Sequence, residues 1–328
     1  MQDSKNVDCS GLAQLSLDLK RLGSTRCQRR DVLLAASGFK ASRLMLTDMG
    51  IEAVRQLGHT FGFGWAAGRT SFALRLDTGK GGFSNHMTRV TGFDGRREVF
   101  LAKNGATASR LLAAHANHTM IGRALRIPTC CTQFYLDKAQ AAAKHAYDYS
   151  GLIGMPRTHT ASVLSNTYCR YFDRGIVDHF PCRHHCRRTR EVAKQSAMTL
   201  RRVDPSLLTE LVAAGTFVYS DRDGVFWLND IDGVAGKPVI HAQTARESNL
   251  ARHLARASQV QIVLGSERIL RVYGTHDEVH PRSSIFDNVS VVSFRPNYGD
   301  EEVLFGDRSG LNNDQFDPMT RPVEGYGN

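Results

Sequence analysis

Residues 181–202 read PCRHHCRRTREVAKQSAMTLRR, and the fold turns on how they are read. The spacing predicts a long helix opened by Pro181, because proline's missing N–H would be unpaired in the first turn anyway. From Arg187 onward most residues are good helix formers. A second proline-opened helix is predicted just upstream, over PTCCTQFYLDKAQAAAKHAYDYSG (128–151), with Gly151 closing it. HTASVLSNTYCRYFD (159–173) reads as a shorter helix between the two. The centre of the chain, residues 128–204, is therefore expected to be helical and rich in Cys and His.

On the N-terminal side the pattern is mixed. GLAQLSLDLKRL (11–22) carries Leu12, Leu15, Leu19 and Leu22 at three- and four-residue intervals, a helical stripe. VLLAAS (32–37) is a short apolar run suited to a buried strand, and 41–57 has a mixed helical pattern. SFALRLDT, HMTRVTGF and REVFLAK alternate apolar and polar residues between glycine-rich turns, which predicts strands. GATASRLLAAHANHTMIGRALRI (105–127) returns to helix. Beyond a helix at 205–214, the last third reads as strands. TFVYSDRDGVFWLND forms a hairpin around Asp223-Gly224, QVQIVLGSERILRVYG repeats that plan around Gly265-Ser266, and SIFDNVSVVSF adds a strand. The expected class is α/β in the α+β sense. It comprises a mixed α/β region (1–127), the helical region (128–204), an antiparallel β region (205–297) and an acidic flexible tail (298–328).

Composition limits the function classes. With 41% hydrophobic and 23% charged residues, the 328-residue chain has the makings of a packed core rather than a disordered coil. No apolar run approaches the roughly 18–20 residues of a membrane helix. The opening MQDSKNVDCSGLAQ lacks a basic stretch followed by an apolar one, so no secretory leader is expected and the location follows as cytoplasmic. The net charge of +10 is uneven: residues 170–202 hold nine Lys/Arg against three Asp/Glu, whereas 298–328 hold two against seven. Such a basic centre attracts nucleic acid or a small anion. A solvated helix face shielded by the acidic tail is the simpler reading, and the lack of interleaved aromatics disfavours single-strand stacking.

The chemistry-bearing residues are the cysteines. Five of seven (Cys130, Cys131, Cys169, Cys182, Cys186) fall between 130 and 186. In a reducing compartment that clustering favours metal or thiol chemistry over disulfides. Cys130 and Cys131 follow Pro128, and Cys182 follows Pro181, so both sets sit near a helix start, where free N–H groups and the dipole stabilise thiolates. If Cys182 and Cys186 lie on one helix, their four-residue spacing puts both sulfurs on one face. His179 can join from the turn, while His184 and His185 point elsewhere. Candidate metal ligands are Cys131, Cys169, Cys182 and Cys186, and candidate catalytic groups are Cys130 and His179. Three cysteines with a histidine suit zinc, and four cysteines suit an iron–sulfur cluster or another transition metal. Inert buried thiols are the bland alternative. Arg183 and Arg187 would line the rim and hold an anionic substrate. Asp173 and Asp178 would orient His179, or simply cap helices.

Two blocks resemble the signatures of a poorly characterised bacterial family, which pairs G-x-P-x-C-C-x-x-F with a later H-x-P-C-x-x-x-C. The blocks are GRALRIPTCCTQF (122–134) and HFPCRHHCRRT (179–189), matching at Pro128, Cys130, Cys131, Phe134, His179, Pro181, Cys182 and Cys186. The departure is Arg126-Ile127, where a glycine and an aromatic are expected. The resemblance implies a biosynthetic or redox setting and no defined reaction.

GFGWAAGRTS (62–71) and DTGKGGFS (77–84) lack phosphate-loop spacing, and no G-x-S-x-G elbow occurs. Three function classes follow. The favoured one is a metal- or iron–sulfur-dependent enzyme acting on a small anionic metabolite. The others are a zinc-stabilised module that binds nucleic acid or an acidic protein, and a metal-free thiol oxidoreductase. All metal readings require sulfur atoms from two separated segments to converge.

Overall fold

The computed structural model describes residues 8–74, 87–91, 95–144, 149–153, 160–220, 224–229, 239–244, 259–264, 268–273, 289–295 and 300–305. Its class is mixed α/β. The N-terminal part runs α1 (Cys9–Arg21), α2 (Arg26–Ala36), β1 (Ser42–Leu46), α3 (Asp48–Phe61), β2 (Gly64–Leu74), β3 (Met87–Val90), β4 (Arg96–Ala102) and α4 (Gly105–Ala113). The strands form one antiparallel sheet in the order β1-β4-β2-β3. Strand β4 explains the layering, since alternate residues point to opposite faces. Val99 and Leu101 join the core under α1, α2 and α3, whereas Phe100 and Ala102 pack with Ala108 and Leu111 of α4.

The centre runs α5 (His118–Ala124), α6 (Thr129–Asp137), α7 (Ala139–Ala143), β5 (Thr160–Ser162), α8 (Arg187–Val203) and α9 (Pro205–Leu211). Helix α8 buries Ala193, Ala197, Leu200 and Val203 against the same core as Leu15, Leu33 and Leu34. Downstream lie β6 (Gly215–Ser220), β7 (Gly224–Asn229), β8 (Val239–Thr244), β9 (Gln259–Leu264), β10 (Arg268–Tyr273), β11 (Val289–Arg295) and α10 (Asp300–Phe305). A second sheet has the order β5-β11-β6-β7-β8, antiparallel except where β5 meets β11, and β9 pairs with β10. Both predicted hairpins are present as strand pairs; Asp223 and Gly265-Ser266 lie outside the described residues, as does DTGKGGFS. Among the described residues no helix is long and apolar enough to cross a membrane.

Several sequence expectations give way to the structure. VLLAAS belongs to α2, not to a strand. Thr25 and Gln28 form a reciprocal capping box that starts the helix, and residues 29–36 are buried on every side. Burial takes in the paired charges Arg29, Arg30 and Asp31 as well, so only 32–36 reads as an apolar run, and a run that short cannot separate a buried helix from a strand. Of the segment 159–173, the described residues 160–173 hold no α-helix; they are strand β5 followed by two short 3-10 turns, Val163–Ser165 and Tyr168–Phe172. The expected flexible tail begins instead with α10. Its Asp300 is fully buried and accepts hydrogen bonds from Arg190 of α8 at 2.8 and 3.0 Å and from Ser162 of β5 at 2.6 Å. Residues 306–328 lie outside the described residues.

A set of buried charges ties the N-terminal part to the segment that enters the cysteine-bearing turn. The Arg30 guanidinium pairs with Asp31 at 2.9 Å and donates to the carbonyls of Gly175 (2.6 Å) and Val177 (3.3 Å). Lys40, 6% exposed, pairs directly with Asp178, and Asp31 stands 4.0 Å from the same ammonium. Burial alone would raise the Asp178 carboxyl; Lys40, the His179 hydrogen bond and Arg30 overcome that and hold it well below the carboxylate range.

Asp178→Asn is therefore expected to cost about 3–5 kcal/mol, because a buried ammonium keeps only the longer Asp31 contact. The depressed carboxyl contributes stability that is complete above the unfolded-chain value of about 3.9 and disappears as pH falls below it. Denaturant titrations of both proteins between neutral pH and the acid range should thus show a gap that narrows on acidification.

Candidate metal centre

Two local structures deliver four sulfur atoms to one point. The first is the start of α6. Pro128 is its N-cap residue, and the N–H groups of Cys131 and Thr132 donate to the Pro128 carbonyl at 2.8 and 2.9 Å. This places Cys130 and Cys131 in the first turn. Helix α5 packs close behind: a Cβ at Gly122 would stand 2.6 Å from the Thr132 hydroxyl, so only glycine permits this approach. Between the helices Arg126 takes a left-handed φ of 56°. Its guanidinium lies 4.3 Å over the Phe39 ring and donates to Gln195 of α8 at 3.0 Å, which offsets part of that strain.

The second is a tight turn at 181–186, closed by a 3.0 Å bond from the Cys186 N–H to the Arg183 carbonyl. Here the predicted helix face is corrected. Helix α8 begins at Arg187 with Cys186 as its N-cap residue, so Cys182 and Cys186 converge by a turn and not along one helix face. His184 points inward instead of away. It is fully buried, its Nε2 stands 3.3 Å from the Tyr168 hydroxyl, and burial, then the neighbouring His185, pull its pKa down to about 3. A neutral imidazole thus anchors the turn on the aromatic core of the second sheet.

The sulfurs of Cys130, Cys131, Cys182 and Cys186 all lie within 4.8 Å of one another. Cys130 is 3.9 Å from Cys131 and 3.8 Å from Cys186, and Cys131 is 3.8 Å from Cys186. Cys131 and Cys186 are buried, and Cys130 and Cys182 are half-buried. The Cys182 N–H donates to the Cys131 sulfur at 3.4 Å. Thiol protons are shared unevenly in this cluster. The Cys131 hydrogen bond, aided by Thr189, holds the Cys186 thiol down at about 4 against the effect of burial. That same hydrogen bond to Cys186, then burial, push the Cys131 thiol strongly up. Burial and the neighbouring sulfurs push Cys182 up to about 11.

Other expected members fall elsewhere. Cys169 is corrected as a ligand: its sulfur faces the Ala213 carbonyl at 3.7 Å, within the cluster of Tyr168, Phe217 and Tyr219. Burial raises its thiol well above the ordinary range, as it does for Cys27, pushed up to about 12. His179 stands behind the sulfurs. Its Nε2 is 3.1 Å from the Thr189 hydroxyl, whose oxygen is 3.2 Å from the Cys131 sulfur. Asp178 lies 3.6 Å from the Nδ1 side of His179. Asp173 instead caps α2, accepting from the N–H groups of Arg26 (2.7 Å) and Cys27 (3.1 Å). Arg183 and Arg187 are exposed on the outer side of the turn, with His185 and Arg188. Thr189 was not among the sequence candidates; its position three residues after Cys186 is the signal that could have found it.

No family model, no curated protein and no solved structure matches this chain.

Because Cys169 packs apart from the sulfur cluster, Cys169→Ala is expected to leave metal uptake unchanged. It should lower stability by only about 1 kcal/mol, the cost of a small buried deletion. Metal stoichiometry and a denaturant midpoint check the two halves of this expectation.

Proposed function

We propose that the chain is a metal-binding protein in which Cys130, Cys131, Cys182 and Cys186 hold one tetrahedral ion, zinc before any other. The observation that carries this reading is the sulfur geometry. A tetrahedron with metal–sulfur bonds of about 2.3 Å has edges of about 3.8 Å; the three edges among Cys130, Cys131 and Cys186 are 3.8, 3.8 and 3.9 Å, and the Cys182 sulfur lies within 4.8 Å of each of them. An iron–sulfur cluster spreads its cysteines over several irons, so it suits a wider set of sulfurs. Four protein thiolates fill the coordination sphere of zinc, which is the pattern of a structural ion. On this reading the ion staples the start of α6 to the turn before α8. It thereby braces a turn whose outer side carries Arg183, His185, Arg187 and Arg188, a basic edge for an anionic partner such as nucleic acid or an acidic protein.

A second reading keeps the enzyme. Half-exposure of Cys130 and Cys182 leaves two sulfurs near solvent, beside Arg183 and Arg187. With iron in the same four-sulfur site, the centre would exchange one electron, and the arginines would receive a small anionic substrate.

Metal analysis of protein purified without oxygen separates the readings. One colourless zinc per chain is expected, lost in Cys131→Ser and Cys186→Ser. Its removal by a chelator should be accompanied by a large fall in the melting temperature. A coloured iron protein supports the enzyme, and metal-free protein with freely alkylated Cys130 and Cys182 supports a thiol oxidoreductase. Binding of a labelled duplex is expected to weaken steeply with salt, and again in Arg187→Ala.

A further inference from the structure

The sulfurs of the proposed centre are not equivalent, and the difference lies in what stands behind them. Cys131 accepts the Cys182 N–H from one side and faces the Thr189 hydroxyl, 3.2 Å away, from another. Thr189 has no exposure at all, so its hydroxyl must find its partners inside the protein. Those partners are the Cys131 sulfur, His179 Nε2 at 3.1 Å, and the Cys186 sulfur, which the Thr189 backbone N–H also addresses. A hydroxyl has one proton to give. Once Cys131 is a metal-bound thiolate it can only accept, so the Thr189 O–H turns to the sulfur, and His179, facing acceptors on both edges, donates through Nε2–H to the Thr189 oxygen and through Nδ1–H to the Asp178 carboxylate, as an imidazolium. His179 is held in turn by Asp178 on its other ring edge, and Asp178 by Lys40 and the Arg30 guanidinium.

We infer that Thr189 is a positioning residue that donates to the Cys131 thiolate, with His179 fixing the direction of that donation. The pair thereby tempers the donor strength of the Cys131 sulfur toward the ion, while the Thr189 backbone N–H continues to serve Cys186 when the side chain is changed. The inference rests on the four-cysteine centre proposed above and deepens it: His179, three residues before Cys182, serves the metal from the outer shell and not as a ligand. A hydrogen bond withdraws charge from a thiolate and so eases the repulsion among four anionic ligands around one divalent ion; losing it leaves a more strongly donating but less compensated sulfur, and outer-shell partners alter metal affinity by about 10–100-fold when removed.

Cobalt(II) is the probe, because thiolate-to-cobalt charge-transfer bands report sulfur donor strength directly. Full-length wild type, Thr189→Val, Thr189→Ser and His179→Leu are each titrated with cobalt, and bound cobalt is then displaced with zinc. The inference expects Thr189→Val to move the charge-transfer band to longer wavelength and to weaken cobalt binding by about tenfold or more. Thr189→Ser, which restores the hydroxyl, should return both to wild type, an outcome that a mere packing role would not give. His179→Leu should shift the band in the same direction by less, and it carries the test if Thr189→Val does not fold. Bands of Thr189→Val and His179→Leu that superimpose on wild type overturn the outer-shell assignment while leaving the centre standing. Wild type that takes up no cobalt with such bands removes the centre itself, and this inference with it.

Discussion

Four sulfur atoms crowded within 4.8 Å of one another cannot all ionise unless a cation lies between them. Two unit charges about 4 Å apart repel by about 4 kcal/mol at the effective dielectric of a protein surface, and four thiolates make six such pairs. Alone, the thiols resolve the conflict by sharing protons: the hydrogen bond between Cys131 and Cys186 holds Cys186 low and Cys131 high, with Thr189 adding to the effect on Cys186. A divalent ion removes the conflict at its source, since each thiolate then faces a charge of opposite sign at bonding distance. The elements that deliver the sulfurs, a proline-capped helix start and a six-residue turn, meet through the Cys182 N–H on the Cys131 sulfur and through the packing of Cys182 against Phe134, Tyr149 and Phe180. An ion between the sulfurs would add to those contacts.

The same turn is held from behind by interactions that need no metal. His184 is sunk against Tyr168, Phe180 lies in the cluster of Phe134 and Tyr149, and Arg30 ties the carbonyls of residues 175 and 177 to α2. These contacts connect the second sheet, the α6 region and the N-terminal core to one short loop. Their distribution explains why the turn can be rigid while its outer edge is exposed and basic. Inward positions alternate irregularly with outward ones: 184 and 186 are buried, and 183, 185, 187 and 188 are exposed.

Much of this was legible in the sequence where chemistry, not periodicity, carried the signal. The pairing of Cys130-Cys131 with Cys182 and Cys186 was visible because proline and cysteine occur together at both places. The strands at 96–102, 215–220 and 224–229 were visible because one or both faces are apolar. Elsewhere the pattern misled for identifiable reasons. VLLAAS is apolar because α2 is surrounded, and a four-residue cysteine spacing fits a turn as well as a helix. Cys169 shares the sequence neighbourhood of the cluster, but Tyr168 and Tyr171 draw it into the aromatic core, and nothing local to Cys169 announces that. The acidic tail looked solvated by charge alone. Asp300 is nevertheless buried, because Arg190 lies across from it on α8, 110 residues earlier.

His179 shows how a position beside the cysteines can be picked out in the sequence while its partners in space are not. Sequence proximity to Cys182 made it a candidate ligand, and its residue type made it a candidate acid or base. The structure puts a threonine between it and the nearest sulfur. An imidazole bound to a metal loses one nitrogen to coordination and keeps the other for a carboxylate. Here both ring edges are committed, one to Thr189 and one toward Asp178. In the proposed centre the carboxylate–histidine pair familiar behind histidine-ligated metals would be displaced outward by one residue, with a thiolate in the ligand position and a hydroxyl relaying the hydrogen bond. That arrangement would leave the metal sphere all sulfur and let the buried pair of Lys40 with Asp178 hold the orientation of the group that addresses it.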